Sequence, residues 1–108
     1  MSRLVKSQRT YFQLLLAETS NKQKQALLDT ITADQLRALV QIVVNFLQRV
    51  LSVPSSVIAN LKRHKRLLRS LADTALAFKE KIKLLRGRAK AVNEFLRAVE
   101  PSLKNYLK

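Results

Sequence analysis

Apolar residues recur along this chain at helical rather than strand spacing. Between residues 33 and 51, Leu36, Val40, Val43, Leu47 and Val50 keep a period of three to four. Leu39, Ile42, Phe46 and Leu51 widen that stripe until most of the circumference is apolar, which predicts a central helix surrounded by others. The β-branched run of Val40, Ile42, Val43 and Val44 is a strand-like signal, but the length of the segment and its cap select helix. In 54–72, Val57, Ile58, Leu61, Leu68, Leu71 and Ala72 form one stripe. In 75–86, Ala75, Phe78, Ile82 and Leu85 are expected to point inward, and in 88–99 so are Ala89, Val92, Phe95, Leu96 and Val99.

Caps and breakers set the boundaries. Ser20 with Gln23 fits a capping box, and Thr32 with Gln35 fits it better, with Ile31 and Leu36 placed as a hydrophobic staple. Asp34 in the first turn suits the helix dipole. Ser52-Val53-Pro54 ends one helix, and Pro54 is placed to open the next. Asp73-Thr74 offers a further break. Gly87 stands where a left-handed residue would close a helix, and Pro101 is expected to open a last short turn. The expected elements are about six helices near 8–18, 21–30, 33–51, 54–72, 75–86 and 88–99, with a short segment at 101–107. The fold class is therefore all-α, a compact bundle of about five to six short helices. Residues 10–108 are expected to form one helical domain behind a basic tail at 1–9.

Composition narrows this further. With 47% hydrophobic residues in 108, a packed core is attainable despite a formal charge of +14. A single Gly and two Pro disfavour an all-β sandwich or barrel, and the absence of Cys excludes a disulfide framework and a thiolate zinc site. The longest apolar stretch, Ala38 to Leu47, is broken by Gln41 and Asn45 and falls short of the ~20 residues of a spanning helix. Arg3, Lys6 and Arg9 ahead of Tyr11–Ala17 outline a stunted leader, without a clean cleavage pattern after it. A first helix behind a basic tail is the expected reading.

The charge is unevenly placed. Residues 62–90 carry eleven basic groups against Asp73 and Glu80, net +9, while 10–61 and 91–108 are each net +1. Lys62, Arg63, Lys65, Arg66 and Arg69 crowd into eight residues without an acid, so neighbouring cations repel. A helix built for stability alone would intersperse Glu. Lys79, Lys81, Lys83, Arg86, Arg88 and Lys90 form a second stripe, which would lie beside the first if the helices carrying them pack antiparallel. Arg88 and Lys90 also sit near a helix start, against the dipole preference, which hints at a ligand. Such a face is the footprint of a polyanion, duplex DNA or RNA, and it doubles as a nuclear localisation signal. The mixture of Arg and Lys suggests phosphate contact without base readout. Tyr11, Phe12, Phe46, Phe78, Phe95 and Tyr106 mostly fall on core faces, which leaves no stacking platform for single strands.

His64 lies beside the apolar stripe among four cations, which disfavour its charged form. No second ligand pairs with it, and the seven acids are scattered. Neither an enzyme, nor a metal site, nor a cofactor, nor a small-molecule substrate is expected.

The segment from Leu61 to Asp73, continuing through Lys79-Glu80-Lys81-Ile82-Lys83-Leu84-Leu85, resembles a group of small basic proteins encoded in Polinton/Maverick-type elements and adinto-like viruses. Lys62, His64, Lys65, Leu68, Arg69, Leu71 and Ala72 match that group's basic-x-His-basic-x-x-Leu-Arg-x-Leu-Ala segment, and the similarity spans about residues 24–86. Where members end in a Gly-Gly-Phe-Leu-type tail, this chain has Gly87-Arg88-Ala89-Lys90 and a further amphipathic helix. The resemblance implies a virion-associated, genome-condensing protein, with Lys62, Arg63, His64, Lys65, Arg66 and Arg69 carried over. The expected location is the nucleus or a virion. A second expectation is a helical module that docks an acidic partner or assembles with itself, because the 33–51 helix has apolar surface to spare. An amphipathic helix on anionic lipid is a third, against which the scarcity of exposed aromatics speaks.

Overall fold

Side chains that accept backbone N–H groups start two of the helices in the first half of the chain, at Ser20 and at Thr32. The computed structural model describes residues 3–17 and 20–107. Over that span it is an all-α bundle of eight α-helices and one 3₁₀ turn. The helices are α1 (Arg3–Ser7), α2 (Arg9–Ala17), α3 (Asn21–Asp29), α4 (Ala33–Leu47), α5 (Ser55–Leu61), α6 (Lys65–Ala72), α7 (Phe78–Leu85) and α8 (Ala89–Leu107). The 3₁₀ turn is Lys62–His64.

Ser20 accepts from the Gln23 N–H at 3.4 Å and opens α3. Thr32 opens α4 with the full reciprocal box: its Oγ1 accepts from Gln35 N–H at 3.2 Å, and Gln35 Oε1 accepts from Thr32 N–H at 2.9 Å. Ile31 and Leu36 are both buried, as a staple requires.

The elements depart from the expected ones in five places. The segment expected as a basic tail is helical from Arg3 to Ser7. It packs on α4 and α8 because Val5, fully buried, needs a core to sit in. The helix expected to reach residue 51 stops at Leu47. Arg49 takes a left-handed φ of 59°, and the N–H groups of Arg49 and Val50 fold back onto the Phe46 and Asn45 carbonyls. The helix expected over 54–72 is split by the 3₁₀ turn. The positions three and four after Leu61 are His64 and Lys65, so no apolar side chain seats that turn on the core. The helix expected from 75 begins at Phe78. Asp73 Oδ1 accepts from Ala75 N–H at 2.9 Å and holds a non-helical turn there, leaving Ala75 and Phe78 exposed instead of inward. Finally, α8 runs through Pro101 instead of stopping before it.

Two helices share the centre. Leu36, Ala38, Leu39, Ile42 and Val43 of α4 are buried, and α4 packs on α1 and α6. The buried α8 residues Val92, Phe95, Leu96, Val99 and Leu103 take up α1, α2, α3 and α5. Phe46 and Phe95 join the two helices edge to face, ring centroids 5.4 Å apart. Polar contacts fasten the outer helices at their ends. Tyr11 Oη donates to the Leu27 carbonyl at 2.8 Å, and burial pushes its phenol well above the ordinary value. Arg97 Nη2 donates to the Leu16 carbonyl near the end of α2. Gln25 of α3 closes the α7–α8 corner: its Nε2 donates to the Leu85 carbonyl and its Oε1 accepts from Ala89 N–H.

Candidate nucleic-acid interface

The basic residues of 62–90 are turned outward because the apolar residues between them are not. Leu67, Leu68 and Leu71 bury one side of α6, which leaves Lys65, Arg66 and Arg69 on the other. Leu85 is buried and Ile82 half-buried, and Lys79 and Lys83 face solvent. Of the eleven cations singled out from the sequence, ten are exposed and Lys81 is half-buried.

These cations do not form one uninterrupted stripe. Lys62, Lys65 and Arg69 stand together around a depression between the end of α4 and the α5–α6 segment, joined there by Arg49. Arg63 is turned the other way, toward α8, where its Nη2 donates to Glu94 Oε2 at 2.8 Å. His64 reaches the same oxygen, with its Nε2 at 2.6 Å. Glu94 therefore pins the 3₁₀ turn to α8. The hydrogen bond from His64, with Arg63 beside it, holds the Glu94 carboxyl below its ordinary value, against the opposing effect of its partial burial.

The second stripe also diverges. α6 and α7 pack directly on each other, and Lys79 and Lys83 of α7 are exposed. Lys83 is paired with Glu80 at 3.4 Å. Lys81 instead lies with Arg37 and Phe78 over Leu36 and Val40 of α4. Arg86 sits at the opening lined by Gln25, Asp29 and Gly87. Gly87 has the expected left-handed φ, 67°, and turns the chain so that Arg88 and Lys90 flank the start of α8. Among the described residues, nine of the eleven cations meet no carboxylate; Arg63 and Lys83 do.

Two participants went unnoticed in the sequence. Glu94 carries no pattern of its own, since an acid on a helix flank looks like solvated surface until the facing helix is known. Arg49 falls within the helix expected over 33–51 and becomes a neighbour of Lys62 and Lys65 because that helix ends at Leu47. Phe78, read as core, is 41% exposed. The Tyr106 ring lies outside the described residues.

Among the described residues, no three His, Asp or Glu side chains gather as a metal site would require. No helix among them is long and apolar enough to cross a membrane. No protein-family model, curated protein or solved structure matches the chain.

Proposed function

We propose that this protein binds duplex DNA through its phosphate backbone, without base readout and without catalysis, and that it serves to condense or package a genome. The observation that carries the reading is the crowding of nine exposed or half-exposed cations without a carboxylate partner on the 62–90 segment. Like charges held this close on a rigid helix repel each other, and condensed phosphates relieve that repulsion while releasing counterions. Lys62, Lys65, Arg66 and Arg69 are the central contacts. Lys79 and Lys83 follow on the adjacent helix, and Lys81, Arg86, Arg88 and Lys90 extend the positive field. Arg63 contributes charge but is held by Glu94. The resemblance of residues 24–86 to the small basic proteins of Polinton/Maverick-type elements and adinto-like viruses supports the same role, and a nucleus or a virion is the location proposed with it.

The test neutralises the central contacts without disturbing the core. Lys65, Arg66 and Arg69 are exposed, so a K65Q/R66Q/R69Q variant keeps the apolar face of α6 intact. Its duplex affinity is expected to fall, and its dependence on salt to flatten by about 0.9 per lost phosphate contact in a log–log plot. Unchanged affinity would show the patch to be solvated surface only.

A further inference from the structure

The depression beside α6 has a floor that phosphate recognition does not use. Phe46 and Leu47 at the end of α4, Ile58 and Leu61 of α5, and Leu68 of α6 line it. Leu47 is 36% exposed although it belongs to the apolar stripe of α4. Arg49, Lys62, Lys65 and Arg69 stand around this floor, and no carboxylate is among the described residues lining it. The volume, about 260 Å³, is below the ~300–1,000 Å³ typical of sites that enclose a small molecule. It suits a few apolar side chains of a larger partner.

We infer that this groove docks an acidic amphipathic helix of a partner protein. Apolar side chains one helical turn apart would rest on Phe46, Leu47 and Leu68, and the flanking carboxylates would meet the four cations. The mode is helix in groove, with anchors at i, i+3 or i+4, and i+7. Charge complementarity selects the partner: a basic or neutral helix would leave four cations crowded against its edges. The inference does not depend on the nucleic-acid reading. It shares Lys62, Lys65 and Arg69 with it, so the two ligands compete.

The test uses the whole chain and a labelled synthetic helix carrying Leu at the anchor positions and Glu elsewhere, followed by anisotropy. A second peptide of identical charge carries Ala at those positions, and a duplex oligonucleotide is measured in parallel. The Leu peptide is expected to bind at least about tenfold more tightly than the Ala peptide, the order of affinity that one buried leucine supplies. Leu47→Gln is expected to remove most of that difference and to leave duplex affinity unchanged. Should that variant melt early, the comparison of the two peptides on the unaltered protein decides alone. Equal affinity for both peptides would overturn the inference, because charge alone would then explain binding. Tighter binding to phosphatidylserine vesicles than to the Leu peptide, lost in Leu47→Gln, would overturn it too and assign the groove to lipid. A protein that binds the duplex but neither peptide loses this inference and keeps the nucleic-acid reading; one that binds only the Leu peptide does the reverse.

Discussion

At single positions, the fold depends most on side chains that satisfy helix ends. Gln25 occupies both of its amide groups at one corner, donating to the Leu85 carbonyl at 3.1 Å and accepting from Ala89 N–H at 3.1 Å. Replacing it with Leu keeps the bulk and strands the Ala89 N–H, while the Leu85 carbonyl keeps the Arg88 N–H as a donor. Gln25→Leu is expected to destabilise the protein by about 1 kcal/mol, the cost of leaving one part-buried donor without an acceptor, as read from urea unfolding. Arg49 and Gly87 make an instructive pair, since both adopt left-handed φ, 59° and 67°. Gly does so without strain, whereas an L side chain meets its own backbone there. Arg49→Gly is expected to stabilise the protein by about 1 kcal/mol and Gly87→Ala to destabilise it by a similar amount, although nothing crowds a Cβ at position 87. Thermal midpoints moving in the same direction would contradict this. Asn93 adds a smaller point: its Oδ1 is buried without a donor among the described residues.

At the scale of elements, start signals were legible in the sequence and interruptions were less so. Thr32 with Gln35, Ser20 and Gly87 each act through neighbours a few residues away, so their roles can be read from spacing alone. The stop after Leu47 could not be read this way, because nothing in the identity of Arg49 announces a left-handed residue. The 3₁₀ turn follows from the missing apolar residue between Leu61 and Leu67, a gap the sequence shows, but its anchoring follows from Glu94 on a distant helix. Pairings between helices have no local signature, so the basic cluster is legible in the sequence and its counter-ion is not. The anchor has a testable consequence in acid. Glu94 is held below its ordinary value of 4.5, so the folded state gives up its proton more readily than the unfolded chain. Its stabilisation is complete above the ordinary value and is lost as pH falls through the lowered one. Between about pH 5 and pH 3, the unaltered protein is therefore expected to lose more stability than Glu94→Gln, in urea unfolding followed across that range. Parallel losses would show that Glu94 contributes nothing to the linkage.

For the whole molecule, the governing feature is the contrast between a core built in the usual way and a surface that is not. The buried residues form one contiguous cluster from Val5 to Leu103, and the radius of gyration, 12.7 Å, is close to the roughly 13 Å of a folded chain of this length. Nothing in that core requires the surplus of cations in 62–90. Folding splits that surplus among three directions: the α5–α6 groove, the α8 side where Glu94 waits, and the flanks of α7. Three of the cations, with Arg49, border an apolar groove, while the others lie outside it, Lys81 half-buried and the rest exposed. Under the proposed function, binding displaces the counterions of a duplex, and its strength is set by ionic strength more than by sequence. The most direct measurement is a titration of duplex binding against salt. If about six phosphates are engaged, affinity is expected to fall about 10³-fold between 50 and 200 mM salt, equally for unrelated duplex sequences. Affinity that stays level across that range would contradict the account.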